Sequence, residues 1–276
     1  MELLLTVTIP AMFLAQRGFP EWWLVLVTLI GGAFAAGASG VFNCYIDRDI
    51  DAQMSRTKQR PLVTGVVKSG EALVFGAVLT VLSIAIFLIF TNWVAAALAA
   101  AAIFFYVVIY SLILKRRTAQ NIVWGGIAGC FPVVIGWAAV TGNVEPAAWI
   151  MFLIIFLWTP PHYWPLAIKY REDYEAVDVP MLPVVRNRTT VGLQIILYSW
   201  AMVISAIVLI PVGQMGIIYS TVAILSGIWF LYEAHRLYLL AFSKAAKSGA
   251  MRVFHGSISY LTVLFIAIAV DAVVAF

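Results

Sequence analysis

The sequence predicts an all-α membrane protein: a polytopic bundle of nine transmembrane helices around a central cavity, the first helix shortened, forming one domain over residues 1–276. Three observations lead there. Of 276 residues, 63% are hydrophobic and only 11% are Asp, Glu, Lys or Arg, whereas soluble domains run at roughly 45–50% and about 25%. A mean hydropathy of +0.99 excludes a water-soluble globule, because so few charges cannot cover its surface. Finally, apolar runs of spanning length recur along the chain, and the basic residues gather in a few of the connections between them.

A helix needs about 20 predominantly apolar residues to cross a bilayer. Runs of that kind occur near 22–46, 72–90, 93–114, 122–141, 147–168, 195–213, 215–234 and 257–275. A further run, 3–15, is too short to cross unaided and lacks the basic start of a secretory signal, so it reads as the rest of a first helix. Barrel strands would alternate apolar and polar residues, and these runs do not. Cys44 and Cys130 sit in or beside apolar runs and offer neither a disulfide framework nor a metal-ligand spacing.

With nine spans, segments 47–71, 115–121, 169–194 and 235–256 fall on one face and carry 16 of the 17 Lys and Arg residues, Arg17 alone lying opposite. The positive-inside rule makes the crowded face cytoplasmic, in a cell (inner) membrane. The same placement accounts for the basic pI of 9.1, so no nucleic-acid partner is expected; the bilayer is the partner. The acids need another reason. Eight of 13 fall in two of these loops: Asp47, Asp49, Asp51 and Glu71, then Glu172, Asp173, Glu175 and Asp178.

Asn43, Asp47 and Asp51 are spaced i, i+4, i+8, so they share one face of a continued helix. Carboxylates stacked one turn apart repel unless a cation sits between them. An oxygen-only donor set suits Mg²⁺, which keeps waters and bridges a few carboxylates to phosphate oxygens. Arg56, Lys58 and Arg60 follow closely and match phosphate chemistry. The alternative is a solvated helix end, with the acids neutralised by Arg48 and Arg56; for Asp49 alone a local salt bridge is expected. In the second cluster Lys169 and Asp173 are i, i+4, while Asp178 falls off the repeat, just before Pro180. A helix ending near Tyr174 would leave Asp178 in a loop able to curl back toward a metal. Together the clusters suggest a diphosphate site whose ligand extends a tail into the bilayer. Loss of an allylic diphosphate leaves a carbocation, which calls for aromatic faces and little water. Phe42, Tyr45, Trp158, Tyr163, Trp164 and Tyr170 lie near the right helix ends.

Three strings then carry a resemblance: NCYIDRDIDAQMSRTKQRPLVTG at 43–65, KRRTAQNIVWGGIAGCFPVVIGW at 115–137 and TPPHYWPLAIKYREDYEAVDVPMLPVV at 159–185. Across nearly its whole length the chain resembles the UbiA-type intramembrane prenyltransferases, and within them the branch that farnesylates heme. The resemblance implies transfer of farnesyl from farnesyl diphosphate to a vinyl group of heme B, giving heme O. It implies Asn43, Asp47 and Asp51 as ligands of one Mg²⁺, and Asp173 with Asp178 as ligands of another. Arg56, Lys58 and Arg60 would hold the diphosphate, with Arg116, Arg117 and Lys169 as weaker candidates. His162 matches the family's Pro-Pro-His string; it would either ligate heme iron or serve as a hydrogen-bonded core histidine. Pro160 and Pro161 are expected to disturb the helix before it and mark a cavity. Gly125, Gly126 and Gly129 give small-residue packing surfaces. A terminal oxidase assembly system would consume the product.

The chain departs from the family at three points. Members usually carry a Lys-Pro-Arg ahead of the first helix, where this chain has Met1-Glu2, and a truncated start would account for its short first run. Many of the heme branch have an Asn where Gly40 stands, and a small or amide residue where Asp178 stands. Two other readings stay open. An acceptor such as an aromatic quinone precursor would use the same Asp motifs without His162. A non-enzymatic transporter would bury its acids at mid-membrane depth.

Overall fold

The computed structural model describes residues 2–240 and 246–275. Among them the main helices are α1 (Glu2–Gln16), α2 (Trp22–Ile46), α3 (Ser69–Phe90), α4 (Trp93–Leu114), α5 (Asn121–Thr141, broken at Gly126), α6 (Pro146–Lys169), α7 (Arg188–Val212), α8 (Ile217–Leu239) and α9 (Ala246–Val274). Eight of these, α2 to α9, are long and apolar enough to cross a bilayer, and α1 contributes a shorter apolar stretch, Val7–Gln16. The multi-pass architecture read from the sequence is therefore present, with the short first helix in its expected place.

Successive helices pack as neighbours from α2 round to α9, and α9 returns to α6. Helix α1 is held between α5 and α9. It comes close because Gly136 of α5 has no side chain: a Cβ there would stand 2.7 Å from the Thr8 methyl. The interior is filled by Trp137, Trp164, Tyr219, Tyr260, Phe87 and Phe230, all fully buried. Large apolar residues such as Val81, Ile89, Ile204, Leu225 and Ile228 remain exposed along the spans, as a hydrocarbon-facing surface requires.

Several helices differ from their sequence reading; α9 starts at Ala246, ahead of the expected 257. Helix α7 starts seven residues before the expected 195, because Asn187 caps it: its side chain accepts from Thr190 N at 2.8 Å. Helix α6 runs unbroken through Pro160, Pro161 and Pro165, although disturbance was expected there. The prolines remove the donors that would bond the carbonyls of Phe156, Leu157 and Pro161, but the helical path survives because its neighbours on both sides, α5, α7 and α9, fix it by packing.

The loop-bearing ends of α2, α4 and α6 come together, as the next section details. At the far end, Arg17 Nη1 donates to the Gly213 carbonyl at 2.6 Å, and Asp271 of α9 accepts from the backbone N–H groups of Gly216 and Tyr219 at the start of α8, the latter at 3.1 Å.

Candidate active site

The site is built on a single stripe of α2. Thr28, Gly32 and Ala36, then Ala35 and Ser39, line a cavity of about 330 Å³ between α2, α4, α5 and α6. The same four-residue step carries Ala35 and Ser39 on to Asn43, Asp47 and Asp51. Helix α2 formally ends at Ile46, yet Asp47 N bonds Asn43 O at 2.9 Å and Asp51 N bonds Asp47 O at 2.8 Å. Those bonds preserve the helical register across the break, so the three polar side chains stay on one face. All three are buried, Asp47 completely.

Their partners come from far along the chain. Asn43 Oδ1 accepts from Ser111 Oγ at 3.0 Å, Asp47 pairs with Lys115, and Asp51 accepts from Arg60 Nη1 at 2.5 Å. Asp47 Oδ1 is buried with no hydrogen bond, and Arg116 Nη2 stands 3.7 Å from it. Arg116 itself is engaged by Asp49 through two bonds of 2.6 and 2.7 Å. That guanidinium holds the Asp49 carboxyl down to about 2, and Asp49 in turn raises Arg116. The local salt bridge expected for Asp49 is thus found. The alternative in which Arg48 and Arg56 neutralise these acids is not seen: Arg48 donates to Ser69 Oγ at 2.8 Å, and neither arginine pairs with an acid among the described residues. Burial pushes the Tyr174 phenol up, and Arg56 opposes it.

Lys115 is reached by an unusual turn. The second half of α4, Phe105–Leu114, is π-helical, and the wider turn ends with Lys115 N bonded to Tyr110 O at 2.9 Å. The cavity side of this stretch presents Tyr106 and Tyr110, with ring centroids 5.4 Å apart. Tyr110 seats against Gly125, where a Cβ would lie 2.2 Å from the ring, and Gly126 likewise admits Thr159. Both glycines therefore serve the close packing read from the sequence.

The second acidic segment follows α6. Tyr170 interrupts the helix and Arg171–Glu175 forms one further turn. Asp173 is brought to the first motif: Ser55 Oγ donates to both its oxygens, at 3.1 and 2.8 Å. Lys169 is exposed, with Nζ 5.3 Å from the centre of the Tyr170 ring. Asp178 is exposed and sits at φ 52°, a left-handed conformation. Lys58 and Arg117 are exposed without an ion pair among the described residues. Deeper in the cavity, α6 contributes Trp158, Thr159, His162 and Tyr163.

Among the described residues no three His, Cys, Asp or Glu side chains form a metal cluster by themselves. The donor set still fits Mg²⁺, which is held by one or two carboxylates plus substrate phosphates and waters, not by an all-protein cage. Asp47 Oδ1, buried and unbonded, is the oxygen that such an ion would satisfy. Sequence reasoning missed Lys115, Ser55, Ser111, Tyr106 and Tyr110. Lys115 opened the string that held Arg116 and Arg117, but nothing in the sequence showed that it pairs with a residue 68 positions away.

The chain is similar to known proteins over nearly its whole length. A protoheme IX farnesyltransferase of Leifsonia xyli subsp. xyli is 61% identical over 275 residues, covering 100% of this chain and 89% of the relative. One from Renibacterium salmoninarum is 60% identical over 272 residues, covering 98% and 86%. Among solved structures, a digeranylgeranylglyceryl phosphate synthase superposes with a TM-score of 0.81 at 20% identity, covering 98% of this chain and 93% of that one. A UbiA homolog from Archaeoglobus fulgidus bound to GPP and Mg²⁺ gives a TM-score of 0.69 at 17% identity, covering 97% and 96%. These two share the fold. The model of the UbiA prenyltransferase family matches residues 4–258, and the chain belongs to that family.

Proposed function

We propose that the protein transfers a farnesyl group from farnesyl diphosphate to a vinyl group of heme B, giving heme O, with Mg²⁺ assisting loss of the diphosphate. The observation that carries this reading is the α2 stripe: small residues lining an apolar cavity run directly into a buried Asn-Asp-Asp ladder ringed by cations. Such an arrangement suits a molecule with a greasy tail and a highly charged head. The relatives at 60% and 61% identity support the choice of acceptor, and the structural neighbour holding GPP and Mg²⁺ supports the metal.

Asn43, Asp47, Asp51 and Asp173 are the residues that would hold Mg²⁺. When bound, the ion neutralises diphosphate charge and stabilises the growing charge of the leaving group. Lys115 and Arg60, which pair with Asp47 and Asp51 in the free protein, are placed to turn toward an arriving diphosphate, and Arg56 adds a guanidinium beside Tyr174. As the C1–O bond of the farnesyl group breaks, the rings of Tyr106, Tyr110, Trp158 and Tyr163 keep water away and face the cation. The terminal vinyl carbon of heme attacks that cation. Water adds at the adjacent carbon, and its proton leaves to solvent. A vinyl group carries no acidic proton to remove first, so no strong general base is demanded. Asp178, exposed and off the helical repeat, is a peripheral member of the set.

The loops bearing these residues would face the cytoplasm of a cell membrane, as their Lys and Arg content indicates, and heme O would pass to a terminal oxidase assembly system. The deciding experiment incubates purified protein with Mg²⁺, farnesyl diphosphate and heme B, and seeks heme O by mass. No heme O, with prenylation of a phenolic acid instead, would overturn the acceptor.

A further inference from the structure

Resting on heme B as the acceptor, we propose that Ser257 of α9 is a positioning residue that fixes the Nδ1–H tautomer of His162 and so presents its Nε2 lone pair to the heme iron. His162 is 9% exposed and lines the cavity. Its Nδ1 lies 2.8 Å from Ser257 Oγ. A serine hydroxyl has one proton, and Ser257 donates it to the Phe254 carbonyl at 2.7 Å. Toward His162 the hydroxyl therefore accepts, and Nδ1 carries the hydrogen. In a neutral imidazole the free lone pair is then on Nε2, which has no hydrogen-bond partner among the described residues.

The ring is also clamped. Trp158 stacks on one side with centroids 4.2 Å apart and planes 16° apart, and Phe254 stacks at 4.7 Å and 26°. Trp158 Nε1 donates to the Ser257 carbonyl at 2.8 Å, which closes a loop of contacts between α6 and α9. Most buried side-chain nitrogens find a hydrogen-bond partner. His162 has its orientation and tautomer fixed by a buried neighbour while the second nitrogen is left open, the arrangement that prepares a histidine for a metal.

The test uses full-length protein in lipid nanodiscs, titrated with heme B and, separately, with iron-free protoporphyrin IX. The Soret band gives affinity, and resonance Raman of the ferrous complex gives the Fe–His stretch. In the wild type that stretch is present. His162→Ala abolishes it while protoporphyrin IX binding is kept. Ser257→Ala weakens heme B binding by roughly tenfold to a hundredfold and shifts the stretch, without changing protoporphyrin IX affinity. Ser257→Thr, which keeps the hydroxyl, restores both. A Ser257→Ala variant with wild-type affinity and stretch overturns the proposal, as does equal loss of heme B and protoporphyrin IX binding, which would mean a collapsed pocket. A wild type that neither binds heme B nor makes heme O overturns the acceptor and this proposal together. One that makes heme O with no Fe–His stretch overturns this proposal alone.

Discussion

Lys115 reaches from the π-helical end of α4 to pair with Asp47, a carboxylate wholly buried at the end of α2, whose second oxygen has no hydrogen bond. A buried pair of this kind is costly to assemble and costlier to halve. Its position over an aromatic cavity gives it a use. Asp47→Ala is expected to abolish Mg²⁺-dependent transfer, and Lys115→Met to lower turnover by roughly a hundredfold. Turnover on purified variants, with membrane insertion checked by fractionation, decides; an active Asp47→Ala enzyme would remove the metal assignment.

Asp173 and Asp178 should separate cleanly. Asp173 is bonded by Ser55 beside the first motif, whereas Asp178 is exposed. Asp173→Asn is expected to lose roughly a hundredfold or more in rate, with Asp178→Asn close to wild type. Equal losses in a steady-state assay would return Asp178 to the metal site.

Asp49 offers a test by pH. Arg116 holds its carboxyl down to about 2, below the ordinary value of 3.8. A depressed carboxylate stabilises the fold fully above its unfolded value, and that stabilisation is lost as pH falls through the folded value. Asp49→Asn should therefore lower Tm by a constant small amount from pH 7 to about pH 4, and the difference should shrink toward pH 2. Thermal unfolding in detergent across that range reads it, and an offset unchanged down to pH 2 would contradict the pairing.

Gly125 is a packing requirement for the cavity wall. A Cβ there would lie 2.2 Å from the Tyr110 ring, so the ring or helix α5 must move. Gly125→Ala is expected to cost about 1–3 kcal/mol and to reduce turnover as well, since Tyr110 faces the cavity. A Tm equal to wild type would show that the ring has room.

Asp271 predicts the opposite pattern. Buried at the far end of the bundle, it accepts from two backbone N–H groups at the start of α8. Asp271→Ala should destabilise by about 1–3 kcal/mol and leave kcat at its wild-type value, because Asp271 does not line the cavity. Tm and kcat measured on the same preparation separate the two.

The sequence made the bundle legible because the bilayer imposes a length and a composition on each span, and the spans near 22–46 and 93–114 coincide with α2 and α4. The Asn43–Asp47–Asp51 face was legible because helical spacing is local, and the backbone kept its register past Ile46. Pairing partners were not legible. Only the alternative reading named partners for the acids, Arg48 and Arg56, from nearness in sequence, yet Lys115 takes Asp47 and Arg60 takes Asp51, since buried charges are matched by position in space. Nor does the largely apolar run at 105–114 reveal its π-helical winding, because only the turn size differs and side-chain type does not encode it. Pro160 and Pro161 did mark the cavity that His162 lines, but not a break, because a helix walled in on several sides keeps its path despite missing donors.

One consequence of the α2 stripe concerns how a reactant arrives. Where small residues give way to the carboxylates, the lining of α2 changes from apolar to charged. An isoprenoid taken up from the bilayer would then keep its chain in apolar surroundings, and inorganic pyrophosphate would leave from the charged end. Velocity should then track the mole fraction of isoprenoid dissolved in the lipid: diluting vesicles with buffer leaves it constant, and diluting them with additional phospholipid slows it.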